Sequence, residues 1–373
     1  DALSLYMRHS CVPAPWSIYR GIHKLPPAHF VAIADGGRTL PEPVCYWDLK
    51  DVAVRGVSDA TPEQLIDELE LLLHDAVGRR MNADVPLGAF LSGGIDSTTV
   101  AALMQAQSAK PIKTFTIGFH EEDYDEVVHA RSVAAHLGTD HTELYVTADE
   151  AMAVIPDLPK VYDEPFSDSS QIPTYLVSQL ARQQVTVSLS GDGGDELFYG
   201  YGRYFLADRI WRNIGHLPFP ARRSLAAVAA SAPARTLDRM QSILPRRFQV
   251  QNLADRLPKL AGVLSSANGQ SLYHSLISHA LDPEALVLNS REPDTLLNSP
   301  DSLPLQMGLR ERMMLLDMLT YLPDVILTKV DRASMAVGLE ARVPLLDHRL
   351  VEFSWRLPTE LKYRDGQGKW LLR

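Results

Sequence analysis

Two glycine-rich turns constrain this chain more than any other feature: Leu91-Ser92-Gly93-Gly94-Ile95-Asp96-Ser97 and Ser190-Gly191-Asp192-Gly193-Gly194-Asp195-Glu196. Each follows a short apolar run, Val85 to Leu91 in the first case and Thr186 to Leu189 in the second. Around them, strand-like and helix-like patterns alternate. Helices are expected from Thr98 to Gln107, from Glu126 to Leu137 with Gly138 as the stop, and from Ile172 to Gln183. Strands are expected from Thr114 to Phe119 and from His141 to Val146. Strands spaced by helices imply βαβ units and a parallel sheet with helices on both faces, whose ligands bind outside the carboxyl ends of the strands. Both turns belong at such ends.

The flanks read differently. Up to about Asp48 the chain is rich in proline, aromatics and glycine, with β-like pieces from His29 to Ala34 and at Tyr46-Trp47-Asp48, as at the edge of a β domain. Thr61-Pro62 then opens a helix with Leu65, Ile66, Leu69, Leu72, Leu73, Ala76 and Val77 on one face; threonine suits the cap and proline the first turn. Residues 205–320 read as a mostly helical portion without evident chemistry. Its arginine pairs, Arg222-Arg223 and Arg246-Arg247, fit solvated basic turns.

Charge and cysteine content narrow the function classes. With 36 basic and 46 acidic residues the formal net charge is −10, and nucleic-acid binding needs a clustered basic surface instead. Cys11 and Cys45 are too few for a disulfide framework and lack zinc-site spacing, so both are expected to be ordinary core thiols in a reducing compartment. No apolar run approaches 18 residues, and Asp1-Ala2-Leu3 is no signal peptide. These features suit a cytoplasmic enzyme with no membrane partner. A first residue other than Met suggests a chain cut from something longer.

The chemistry begins in the first turn. Its glycines let the backbone fold tightly, so amide N–H groups and the Ser92 and Ser97 hydroxyls can face an anion at a helix N-terminus. The turn has neither a Walker A lysine nor the spacing of a dinucleotide fingerprint. Asp96 beside a phosphate would repel it unless a cation bridged them, which points to Mg²⁺. In the second turn Asp192, Asp195 and Glu196 form a carboxylate cluster able to hold Mg²⁺ or to take a proton from an incoming amine; a plain acidic turn is the alternative.

Ser92-Gly93-Gly94-Ile95-Asp96-Ser97 resembles the pyrophosphate-binding loop of the ATP pyrophosphatases, which adenylate a carboxylate or carbonyl. The wider chain resembles the synthetase domain of the glutamine-hydrolysing asparagine synthase family. The resemblance runs through Phe115 to Phe119, Tyr162 to Ser170, Ser190 to Phe198, Lys329 to Ala336, Glu340 to Asp347 and Gly368 to Arg373. It implies an α/β fold of the adenine nucleotide alpha hydrolase type. It also implies that residues 1–50 are the closing edge of a glutaminase (class II amidotransferase) domain with its linker, and that 51–373 are the ATP pyrophosphatase-like domain, truncated at its C-terminus.

Residue by residue, the resemblance gives nucleotide contacts to Leu91, Ser92, Gly93, Gly94, Asp96, Ser97, Phe119, Ser190 and Gly191. Leu91 and Phe119 would border the adenine. Mg²⁺ would lie on Asp96 and Asp195. Asp192 would stand at the reacting centre, where many relatives carry the longer glutamate, and Lys369 would be the catalytic lysine; taken alone it is a lysine near a chain end. Relatives continue past a helix at Lys369. The segment Asp163 to Ser170 would lie near the amino-acid substrate. Lys329, Asp331, Arg332, Glu340 and Arg342 alternate in sign as helix-tying ion pairs would, with Arg332 or Arg342 open as a neighbour of the site.

The implied reaction uses ATP and Mg²⁺. The side-chain carboxylate of aspartate attacks the α-phosphorus, giving aspartyl-AMP and pyrophosphate, and ammonia then displaces AMP to give asparagine. Glutamine would supply the ammonia through a further domain bearing an N-terminal cysteine, and a homodimer is left open. Two rivals remain: a relative using the same adenylation to close a β-lactam or peptide ring or to amidate a peptide or sugar acid, and a non-catalytic nucleotide-binding module.

Overall fold

The computed structural model describes residues 1–33, 41–119, 127–231, 261–299, 303–304 and 306–373. Two units pack separately: Asp1, Leu3–His9 and Gly202–Leu316 form one, and Ala2, Ser10–Tyr201 and Asp317–Arg373 form the other.

The second unit is built on a five-stranded parallel sheet. After a small antiparallel pair, β1 (His29–Phe30) and β2 (Val44–Cys45), come β3 (Leu87–Phe90), β4 (Lys113–Phe119), β5 (Asp140–Val146), β6 (Val187–Leu189) and β7 (Glu340–Arg342). The order across the sheet is β5-β4-β3-β6-β7. The chain therefore builds outward from β3 in one direction and then returns to add β6 on the other side, which creates a topological switch between β3 and β6. Both glycine-rich turns leave the sheet there, on adjacent parallel strands.

Side-chain alternation on β5 shows how both faces are covered. Glu143 and Tyr145 meet Arg131 on the helix Val127–Leu137, while Leu144 and Val146 join a cluster with Leu176 on the helix Gln171–Arg182. Phe115, at the centre of β4, packs with Leu180, Ala181, Val185 and Leu339 on that second face. The helix Pro62–Arg80 starts where the sequence places it: Thr61 and Gln64 close a reciprocal capping box and Pro62 occupies the first turn. The helix after the first turn is Ile95–Ala106, three residues longer at its start than the pattern suggests, because Gly94 serves as its cap.

Several expectations are corrected. Glu340–Arg342 is a strand, not part of a helix. Lys369 lies in no helix: it follows a hairpin of β8 (Tyr363–Arg364) and β9 (Gln367–Gly368) in the left-handed conformation, φ 56°. Cys11 is a buried thiol as expected, whereas Cys45 is exposed. Ala34, Glu126 and the pair Arg246-Arg247 lie outside the described residues. Among those residues no helix is long and apolar enough to cross a membrane.

The first unit carries the helices Gly202–Ile214, Phe219–Ser231 and Gly269–Ile277, whereas the described residues 278–299 run as turns and irregular chain, so 205–320 is less helical than the sequence suggests. Arg222 is not a solvated turn residue. It is buried, and its guanidinium donates to the carbonyls of Leu217, Ser266 and Ala267. The short helix Ala2–His9 belongs here too; Arg8 grips Glu292 through Nη2 at 2.6 Å and also donates to the Ala280 and Leu281 carbonyls.

Beside that pair the His9 and His274 rings lie 6.1 Å apart, each with a buried Nε2 that has no hydrogen-bond partner. Burial, followed by the charges of His274, Arg8 and His279, lowers His9 from 6.5 to about 3. Burial and then Arg8 lower His274 to about 4. Both rings are therefore neutral in the fold, while in the unfolded chain they take up protons below about pH 6.5. The melting temperature should fall as pH is lowered from 6.5 to 4, and His9→Gln with His274→Gln should flatten that slope. A wild-type melting temperature independent of pH over this window would contradict the assignment.

Candidate active site

The first turn is a cradle held open by its own hydroxyls. Ser92 and Ser97 share a hydrogen bond of 2.9 Å between their Oγ atoms, Ser97 Oγ accepts from the Ser92 amide at 3.2 Å, and Ser92 Oγ accepts from the Gly94 amide. Gly93 has φ +77°, and a Cβ there would lie 2.7 Å from the Ala130 amide nitrogen, so only glycine fits both the conformation and the space. The helix Ile95–Ala106 begins at this turn, with the positive end of its dipole toward the strand ends. Leu91 is fully buried at the base of the turn, its amide donating to Phe115 O. Phe119 ends β4 and packs against the cluster of Val146, Val154 and Leu176.

The second turn presses directly onto the first. A Cβ on Gly191 would stand 2.6 Å from the Ser97 amide nitrogen and 2.8 Å from the Asp96 carbonyl carbon. Backbone cannot yield there as a flexible side chain would. Gly191→Ala should therefore cost about 1–3 kcal/mol or more through overpacking and separate the two turns, read as a lower denaturant midpoint together with weakened ATP binding. An unchanged midpoint and unchanged binding would mean that the turns do not touch.

Three charged side chains converge where the turns meet. Lys369 Nζ pairs with Asp96 Oδ2 and, at 2.7 Å, with Asp195 Oδ1. The lysine side chain is 14% exposed and that of Asp96 12%, and the Lys369 amide donates to Phe198 O at 2.8 Å, which fixes the backbone that aims the ammonium. Burial works against the charge of Lys369, and the Asp96 and Asp195 carboxylates outweigh it, so its pKa is raised. Burial raises Asp96 to about 6, against the pull of Lys369. Asp96 Oδ1 is buried with no hydrogen-bond partner, an orphan that a cation would satisfy. Asp96 and Asp195 could together hold Mg²⁺, which accepts one or two carboxylates and takes its remaining ligands from phosphates and water. Among the described residues no three His, Cys, Asp or Glu side chains gather as a metal site, so any protein ligation here rests on that pair.

Asp192 accepts from Ser190 Oγ, and its pKa is raised, chiefly by burial. Glu196 turns away toward Tyr201, whose hydroxyl donates at 2.7 Å; burial raises Glu196 to about 7. Behind Asp192 lies Lys329, whose charge opposes the burial effect on that carboxyl. Lys329 pairs with Asp168 at 3.3 Å and donates to Ser170 Oγ at 2.5 Å, from a side chain 9% exposed.

The model of the asparagine synthase family matches residues 68–373. The chain belongs to the asparagine synthase family. A Methanocaldococcus jannaschii protein provisionally assigned as glutamine-hydrolysing asparagine synthetase 2 is 37% identical over 265 residues, covering 68% of this chain and 50% of that protein. Glutamine-hydrolysing asparagine synthetase 1 of Bacillus subtilis is 33% identical over 235 residues, 62% of this chain and 36% of the relative. The human enzyme of that name is 30% identical over 216 residues, 52% and 37% of the two chains. The matched stretch thus spans half or less of these relatives.

In this asparagine synthase family member, the sequence-expected residues Ser92, Asp96, Ser97, Ser190, Asp195 and Lys369 come together at one switch point. Arg342 borders it through its backbone, its carbonyl accepting from the Ser190 amide at 2.8 Å, while its guanidinium donates to the Arg80 and Asn82 carbonyls. Arg332 forms a 3.9 Å pair with the exposed Asp163. Sequence reasoning missed how the segment around Glu164 is pinned. Lys24 pairs with Glu164, the Ile18 amide donates to it at 3.2 Å, Tyr19 donates to Asp163 O and the Ser167 amide donates to Ser10 O. No periodicity signals such contacts, because they join loops about 145 residues apart.

Proposed function

We propose that this chain forms an amide from a carboxylate and ammonia at the expense of ATP, as in the synthesis of asparagine from aspartate. The observation that carries this reading is the meeting of Lys369, Asp96 and Asp195 beneath the paired glycine-rich turns. Ser92, Gly93, Gly94, Ser97, Ser190 and Gly191 seat the ATP phosphates with hydroxyls and a helix N-terminus, and Leu91 and Phe119 flank the adenine. Asp96 and Asp195 hold Mg²⁺, which when bound neutralises phosphate charge.

Lys369, a buried ammonium held where the two turns meet, meets the negative charge that builds up as the acceptor carboxylate attacks the α-phosphorus and pyrophosphate departs, and so favours the transition state over the ground state. Asp192, a carboxylate whose proton affinity burial raises, takes a proton from the nitrogen as ammonia attacks the acyl carbon and AMP leaves. Hydrolysis of glutamine lies outside this proposal, since the Cys11 thiol is pushed up by burial, away from the thiolate a nucleophile needs.

The test is pyrophosphate release from ATP with ammonia and a panel of carboxylates: aspartate, a peptide acid and a sugar acid. Release driven by aspartate, with asparagine as product, supports the reading. Release driven only by another acid moves the chain to a different acceptor, and ATP binding without release under any condition leaves a nucleotide-binding module.

A further inference from the structure

Lys369 follows the β8–β9 hairpin, whose residues from Arg364 to Gln367 are exposed. A two-stranded hairpin is at best marginally stable in water by itself, so its orientation comes from what it docks on. The hairpin meets the corner Phe198-Tyr199-Gly200, which leaves the short helix Gly194–Leu197. The Lys369 amide donates to Phe198 O at 2.8 Å, and the Tyr363 ring at the start of β8 meets the Tyr199 ring edge to face, centroids 5.4 Å apart at 63°. The same corner holds Asp195, because the Gly200 amide donates to Asp195 O at 2.9 Å. One short piece of chain thus anchors the carboxylate and also receives the hairpin that brings the ammonium.

The corner is strained where it makes this contact. Tyr199 is fully buried yet lies in the left-handed region at φ 58°, a conformation costly for any residue but glycine. Lys369, across the hydrogen bond to Phe198 O, is left-handed too, at φ 56°. Backbone of this kind persists only where surrounding contacts over-determine it, and the tyrosine ring pair is such a contact. Gly200 leaves the room the charges need: a Cβ there would overlap Asp195 Oδ1 and Lys369 Cε. We propose that Tyr199 and Gly200 are positioning residues for the chemical step, Tyr199 docking the hairpin through Tyr363 and Gly200 leaving the gap in which the Lys369 ammonium reaches Asp195. This rests on the amide-forming reading above and deepens it: the rate depends on how the hairpin is docked as well as on the lysine it carries. Both residues act through Lys369.

The test is a double-mutant cycle on pyrophosphate release from ATP with aspartate and ammonia. Tyr199→Gly removes the ring and relaxes the left-handed backbone, so the contact is lost without new strain. An edge-to-face pair is worth up to about tenfold in an equilibrium, so kcat should fall by about that factor while the KM for ATP stays unmoved. Tyr199→Phe, which keeps the ring, should restore kcat. Gly200→Ala should lower kcat as well, by displacing the ammonium from Asp195. In a Lys369→Ala background neither Tyr199→Gly nor Gly200→Ala should slow release further, because the group they position is gone. Additive losses in that background, wild-type kcat in Tyr199→Gly, or a Tyr199→Phe enzyme as slow as Tyr199→Gly overturns the proposal while leaving amide formation standing. If Tyr199→Gly does not fold, Gly200→Ala and its cycle with Lys369→Ala decide the matter. If no carboxylate supports release by the wild type, the amide-forming reading itself fails, and hydrogen exchange then decides the docking. The Lys369 amide should be protected in the wild type and in Tyr199→Phe and should exchange faster in Tyr199→Gly; equal protection in all three overturns the proposal.

Discussion

Lys369→Ala should lower the rate of pyrophosphate release by about 10²–10³-fold, the usual cost of deleting one group aimed at developing charge, while ATP binding persists. The lysine ammonium pairs with both Asp96 and Asp195, and the hydrogen bonds that shape the first glycine-rich turn do not involve it. Its backbone is set by the Phe198 carbonyl and the β8–β9 hairpin, not by its side chain, so truncation removes charge with little change of shape. Lys369→Arg should rescue poorly, because a planar fork cannot occupy the point at which one ammonium meets two carboxylates. Single-turnover measurements at saturating ATP separate the chemical step from binding. Undiminished turnover in Lys369→Ala would reduce this residue to a structural ion pair.

Asp195→Asn and Asp96→Asn should each cripple pyrophosphate release, and the loss should be deepest when Mg²⁺ is limiting. The two positions are not equivalent. Asp96 is buried, carries an orphan Oδ1 and is raised to about 6, so its amide replacement removes a charge the fold holds at a cost. Asp195 is more open, its side chain 34% exposed, so Asp195→Asn should fold normally, and relief of its defect by added Mg²⁺ separates the metal effect from loss of the ion pair with Lys369. Loss of a mere supporting group near a metal costs about 10–100-fold; loss of a ligand should exceed that and be partly relieved by raising Mg²⁺. An Asp195→Asn protein with normal activity at limiting Mg²⁺ would remove the metal assignment.

Much of the second unit was legible because its signals are local. Apolar runs ending in glycine-rich turns marked β3 and β6, the run Thr114 to Phe119 marked β4, and Thr61 with Pro62 announced the helix Pro62–Arg80. That the two turns lie at one end of the sheet was legible because parallel strands carry their following turns to the same side. The rest depended on partners far away in the chain. Glu340–Arg342 carries two charges in three residues and looks unlike a strand; it becomes the edge strand of the sheet because β6 supplies its hydrogen bonds and the Arg80 and Asn82 carbonyls take up Arg342. Lys329 finds Asp168 across 161 residues, and Arg222 finds Ser266 across 44. A run of alternating charge says nothing about such pairings. Cys45 shows the converse: a residue of an apolar type that is exposed on a two-residue strand.

The central claim is that the acceptor carboxylate attacks the α-phosphorus at the switch point between β3 and β6. It is tested most directly with aspartate labelled with ¹⁸O in its side-chain carboxylate, turned over with ATP and ammonia. Attack at the α-phosphorus leaves one carboxylate oxygen on the departing AMP, so mass spectrometry should find one ¹⁸O in AMP and none in pyrophosphate. Label appearing in inorganic phosphate with ADP as the other product, or AMP free of label while asparagine accumulates, would contradict it.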